Sequence, residues 1–228
     1  MKEKYSEAGR NPYDGLRLYS ALTHGVGIAF ALVALGVLLH MTVKMSAVTI
    51  TAVSVYAVSM LCLYTASTVY HSLNTNVQGR LLLRKIDHLM IYFLIAGTYT
   101  PVCLISLGGT VSGRVMLIVI WSMAVLGSAF TLFWIKMPRA LTSLIYLVMG
   151  WTAIFAIYPL HAVMSPLCFA MLLTGGVLYS VGGVLYALKW PGRNNPYFGC
   201  HEIFHVFIML GSACHFIVMY CFVANMPI

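Results

Sequence analysis

Charge is what this sequence has least of. Only 8% of its 228 residues are Asp, Glu, Lys or Arg, against roughly a quarter in a soluble domain, and only five of them are acidic. With 61% hydrophobic residues and a mean hydropathy of +0.91, the composition excludes a soluble globular protein and makes lipid the solvent for most of the chain. Gly/Ser-rich linkers and low-complexity tracts are missing, so the chain reads as one membrane domain, 18–228, behind a short N-terminal segment, 1–17. Alternating polarity over ten-residue stretches is also missing, which argues against a transmembrane barrel, because an open sheet edge has no place in hydrocarbon. No small-residue cleavage site follows the first apolar run, and that run is too long for the core of a signal peptide, so it is expected to stay in the mature protein. The six cysteines, Cys62, Cys103, Cys168, Cys200, Cys214 and Cys221, show no paired spacing and read as small apolar side chains within the spans. Cys103, Cys168 and Cys221 approach the outer face, but nothing in their spacing supports a disulfide there.

What the sequence does have is long apolar runs. A bilayer core about 30 Å thick needs roughly 20 mainly apolar residues per helical span. Seven runs meet that length, at 18–41, 46–70, 86–107, 115–135, 141–160, 163–188 and 201–223. The expected fold is therefore an all-α bundle of seven transmembrane helices. Basic residues in short loops stay on the cytoplasmic side. Eleven of the thirteen Lys and Arg lie in the N-terminal segment and in the second, fourth and sixth loops, and only Lys44 and Arg114 lie elsewhere. This predicts a cytoplasmic N-terminus and an extracytoplasmic C-terminus. The net charge of +8 then serves topology, and its scatter over short segments argues against nucleic-acid binding.

Against this background, polar groups in the spans carry the functional signal. Glu3, Glu7 and Asp14 belong to the N-terminal segment, whereas Asp87 and Glu202 open the third and seventh runs. His201 and His205 stand four residues apart, on one helical face about one turn from each other, a spacing from which two imidazoles reach one metal ion. The second run travels inward and ends at His71, while the third and seventh travel outward from Asp87 and His201, so these groups come to one membrane depth. Ser67 lies one turn deeper than His71 on the same face. The constellation is Ser67, His71, Asp87, His201 and His205. Three neutral imidazoles suit zinc with a water at the open position and a carboxylate beside it, and such a centre can hydrolyse an amide or ester. The alternative is a hydrogen-bonded polar cluster between helices.

The remaining histidines rank lower. His24, within Thr23-His24-Gly25, is open to a role behind the ligands or simple packing. His88 points about 100° away from Asp87 and reads as interfacial. His215 is ten residues beyond His205 and too far along the axis to share its metal. Glu202 reads as a helix-start charge, and Cys200 could reach the metal only through a distorted helix start.

The segments Ser67-Thr-Val-Tyr-His71, Lys85-Ile-Asp87-His and His201-Glu-Ile-Phe-His205 resemble the signatures of the hemolysin III family, part of the progestin and adipoQ receptor superfamily. The resemblance spans nearly the whole chain from Ala21-Leu-Thr-His24-Gly onward. It implies an adiponectin-receptor-like seven-helix fold in a bacterial cell membrane, with zinc held by His71, His201 and His205. It also implies that Asp87 holds the metal's water and that Ser67 is a nearby polar group. Many relatives carry an acid and an asparagine before the Thr-His of the first helix, where this chain has Leu16-Arg-Leu-Tyr-Ser20-Ala-Leu-Thr-His24, leaving Ser20 as the nearest polar substitute. More distant resemblance to alkaline ceramidases points to zinc-dependent hydrolysis of a lipid amide or ester, with membrane lipids as partners and Asp87 and Ser67 as catalytic groups. A regulator with structural zinc is the rival reading, and a pore or transporter is the third.

Overall fold

The computed structural model describes residues 15–134, 138–193, 195 and 197–224; Lys2, Glu3, Lys4, Glu7, Arg10, Asp14 and Lys136 lie outside the described residues. Regular structure among the described residues is helical throughout, and seven helices are long and apolar enough to cross a membrane. They are α1 (Leu18–Thr42), α2 (Ala47–Ser72), α3 (Val77–Ser106), α4 (Val111–Phe133), α5 in three consecutive pieces (Arg139–Gly150, Trp151–Ala156 and Ile157–Val163), α6 (Pro166–Leu188) and α7 (Cys200–Ala224). The chain is a multi-pass integral membrane protein.

Polar caps decide where these helices start. Ser46, Asn76, Thr110 and Ser165 each accept a hydrogen bond from a backbone N–H three residues ahead, satisfying one of the donors that a helix start leaves unpaired. Asn76 moves the beginning of α3 nine residues ahead of its apolar run, so Asp87 does not open the helix but sits in its third turn. Arg80, expected in a loop, is instead fully buried in that first stretch of α3. Its guanidinium donates to the carbonyls of Tyr70 and Leu73 at 2.5 and 2.8 Å, closing the end of α2.

Two helices depart from regular α geometry, each at a proline. Pro101 lies in α3 immediately before a π-helical stretch, Val102–Ser106. In α5 Pro159 has no N–H to continue the backbone ladder and disfavours the regular turn before it, and the helix narrows to 3-10 over Trp151–Ala156. Tyr99 on α3 repairs that break. Its hydroxyl donates to the Gly150 carbonyl at 2.5 Å and accepts from the Ala153 N–H at 2.8 Å, supplying partners that lipid cannot.

Neighbouring helices close into a ring. α1 packs on α2 and α7, α2 on α3, α3 on α4, and α5 bridges α3, α4 and α6, which returns to α7. At Gly27 an added Cβ would lie 2.7 Å from the Tyr64 ring, so the absence of a side chain is what lets α1 lie this close to α2. Outward-facing residues such as Val115, Ile118, Leu126 and Phe130 on α4 remain exposed and face lipid. The ring surrounds a cavity of about 470 Å³.

Candidate metal centre

His71 comes from the last turn of α2, and His201 and His205 from the first two turns of α7. Helix packing brings their side chains together, so that one ligand nitrogen from each lies within 4.8 Å of the other two. His71 Nε2 and His201 Nε2 are 3.1 Å apart. His71 and His205 are almost fully buried. The three histidines predicted as ligands are thus close enough to hold one metal ion.

Backbone contacts fix which nitrogens are available. His71 Nδ1 lies 2.6 Å from the Gly15 carbonyl, and a carbonyl can only accept. Nδ1 must therefore carry the proton, which leaves Nε2 with its lone pair toward the other histidines. His205 Nδ1 is held in the same way by the Ser20 carbonyl at 3.3 Å, with the Thr23 hydroxyl at 3.2 Å. Both orienting carbonyls come from one short stretch at the start of α1, which also binds through the Arg17 N–H to the His71 carbonyl at 3.1 Å.

Glu202 ties that stretch to α7. Its carboxylate accepts from the Gly199 N–H at 2.9 Å, a capping contact at the helix start, so the reading of Glu202 as a helix-start charge describes part of its role. It also accepts from Arg17 Nε and Nη2 at 2.6 and 2.9 Å and from the Ser20 hydroxyl at 2.6 Å. Glu202 is fully buried between His201 and His205 in sequence. The sequence presents Arg17 only as a topological charge, and nothing local to it signals a partner 185 residues away. Ser20, the substitute at the altered first-helix motif, becomes part of this latch.

His24 stacks flat on His205, with ring centroids 3.6 Å apart and planes 7° apart, and makes an edge-to-face contact with Tyr64 at 5.1 Å. It packs directly behind a candidate ligand. Asp87 and Ser67 are buried, and both line the same cavity as the three histidines. Asp87 stands outside the group of ligand atoms gathered within 4.8 Å. His88, expected at the interface, is half-buried and lines the cavity too, with Nδ1 3.9 Å from the Asp87 carboxylate and 2.7 Å from the Arg84 carbonyl. Cys200, the first residue of α7, is buried on the cavity wall but is not among the gathered ligands.

A seven-helix membrane bundle with three histidines collected from its second and seventh helices defines the class of protein. The particular family follows from sequence comparison: the model described as Haemolysin-III related matches residues 18–216, and the chain belongs to that family. It is 41% identical over 205 residues to the Hemolysin-3 homolog of Bacillus subtilis (strain 168), covering 89% of this chain and 92% of that protein. It is 38% identical over 198 residues to Hemolysin-3 of Bacillus cereus, covering 86% and 87% respectively.

Proposed function

We propose that this protein is a zinc-dependent hydrolase of lipid amides or esters working within the membrane. The observation that carries the reading is the placement of three gathered imidazoles on the wall of a cavity whose lining is otherwise mainly apolar. The donor set fits zinc. Two ligands at tetrahedral Zn–N distances stand about 3.3 Å apart, close to the 3.1 Å between His71 Nε2 and His201 Nε2. When bound, zinc supplies Lewis acidity that polarises a carbonyl and eases deprotonation of water. The Asp87 carboxylate accepts the proton of the attacking water, and the Ser67 hydroxyl, on the same cavity wall, stabilises the developing oxyanion. The apolar walls take the acyl chain and exclude bulk water from the reacting end.

Asp87→Asn tests the assignment, because it keeps the shape and removes the proton acceptor. Zinc content and melting temperature should stay at wild-type values, while hydrolysis of a responsive lipid falls about 10²- to 10⁴-fold. Wild-type turnover in that variant would remove Asp87 from the mechanism.

A second reading keeps the metal as a clamp in a membrane regulator, and the ligand set does join α2 to α7. It expects no turnover from zinc-loaded wild-type protein across a broad lipid screen. The name of the Bacillus cereus relative speaks of hemolysis, but an apolar cavity suits a lipid chain better than an ion path.

A further inference from the structure

Along α3 the cavity changes character in one direction. Arg84, Asp87, Ile91, Leu94, Ile95 and Val102 all line it, at the three- and four-residue spacing that keeps side chains on one helical face. Asp87 stands about 4.5 Å further along the axis than Arg84, and Val102 roughly 22 Å beyond Asp87. The wall therefore presents a cation at its rim, then the carboxylate that shares the cavity with the three histidines, then apolar side chains to its far end. That order matches an amphiphile whose head group stays at the rim while its chain enters.

The rim gathers more positive charge than its own residues neutralise. Arg17, Lys85, Lys189 and Arg193 line the cavity with Arg84, and Asp87 is the one acidic lining residue among those described. Arg17 is matched by Glu202, and Lys85 is drawn aside to the Leu132 carbonyl, which leaves Arg84, Lys189 and Arg193 against a single carboxylate. Arg84 and Lys189 are half-buried, where salt screens a charge less than at an open surface. Tyr186, in the last turn of α6, lies 5.4 Å from His201 between ring centroids, and Lys189 follows one turn later, so α6 ends beside the candidate centre. Lys189 is also the one non-glycine residue with positive φ among those described, at 56°, a conformation that glycine or asparagine usually takes at a helix end. Retention in the cytoplasm asks for basic residues near helix ends. It does not ask that they share a cavity wall, or that one of them sit in a left-handed position.

We propose that Arg84, Lys189 and Arg193 form a binding rim for a phosphate-bearing head group of net negative charge, carried on a lipid whose acyl chain lies along the apolar wall. The inference rests on the reading of the cavity as a lipid site and adds the class of lipid that it takes. A volume of about 470 Å³ suits one chain. A zwitterionic head group would bring its own ammonium among the rim's cations, and that repulsion makes the site selective. Each basic residue close to an anionic head group raises affinity about fivefold.

The test titrates full-length protein in a neutral detergent with octadecyl ether-linked lysophosphatidylglycerol or lysophosphatidylcholine and counts bound lipid by native mass spectrometry. The two probes share chain and phosphate, differ in net charge and resist acyl hydrolysis, so binding is read apart from turnover. The anionic lipid should bind about tenfold or more tightly than the zwitterionic one. Arg84→Gln and Lys189→Gln should each cut that preference about fivefold, and Arg84→Lys should retain it. Gly176 lines the cavity, and a Cβ there meets nothing within 4 Å, so Gly176→Phe should block the chain's space and weaken both lipids. Inorganic phosphate alone, at the lipid's concentration, should not displace the bound lipid, because it lacks a chain; displacement would assign the rim to a free anion and overturn the proposal. Equal affinities for the two lipids, or a preference that survives both glutamine variants, would overturn it and leave the lipid reading standing. Binding unaffected by Gly176→Phe would place the lipid outside the cavity and overturn it as well. Failure of both lipids to bind would overturn the lipid reading and the proposal together. The lipid pair and the two glutamine variants decide the matter whether or not Gly176→Phe folds.

Discussion

Metal sites depend on the groups that aim their ligands as much as on the ligands themselves, and at the candidate centre that work falls to a segment of nine residues, Gly15 to Thr23. Gly15, Ser20 and Thr23 orient His71 and His205 through Nδ1, and the Arg17–Glu202 pair keeps that segment against α7. Glu202→Gln keeps the volume but loses the charge that Arg17 grips, so the segment should loosen. Zinc affinity, measured by competition with a fluorescent chelator, is expected to fall about 10- to 100-fold, with the three histidines intact. Unchanged affinity would show that Arg17 and Glu202 only fasten α1. The histidines themselves were legible in the sequence, because an i, i+4 pair at one helix start and a single histidine at another helix end need only topology to meet. Arg17 was not, because a basic residue beside a span reads as a topological charge and its partner lies on the last helix.

Among the elements, hydropathy identified every span, since each needs roughly 20 apolar residues to cross. It could not locate the start of α3, where a polar cap and a buried arginine precede the apolar run. It also missed the broken middle of α5, because a run of apolar residues reads alike whether the helix is α or 3-10. The effect of Pro159 falls on the turn before it, and the repair comes from Tyr99 on another helix. Tyr99→Phe retains the ring and removes both hydrogen bonds, leaving the Gly150 carbonyl and the Ala153 N–H with only the local pairing of the 3-10 turn. Each lost hydrogen bond costs about 0.5–1.5 kcal/mol. A melting temperature several degrees below wild type is expected, with zinc content unaffected, because the break lies on α5 and the candidate ligands on α2 and α7. No change in melting would mean that water reaches the break and supplies the partners instead.

At the scale of the whole molecule, the candidate centre forms where α2 ends and α7 begins, so one end of the bundle carries the polar chemistry. The basic residues favour that end as well. Arg80 is spent on the carbonyls closing α2 and is better regarded as a structural cap. Setting it aside leaves, among the described residues, Arg17, Arg84, Lys85, Arg139, Lys189 and Arg193 at this end against Lys44 and Arg114 at the other. Lys85, now placed on α3, donates to the Leu132 carbonyl near the end of α4 at 3.1 Å, which keeps its charge at the same end. The asymmetry is wide enough to set orientation by the retention of basic residues in the cytoplasm. A reporter fused after Ile228 should be active when it is an alkaline phosphatase and silent when it is a fluorescent protein that matures only in the cytoplasm, and the reverse should hold for a fusion after Trp190. Seven crossings require the two chain ends to lie on opposite sides. A cytoplasmic C-terminus would therefore invert the bundle and move the three histidines to the outer face, where a hydrolase would meet the lipids of the other leaflet.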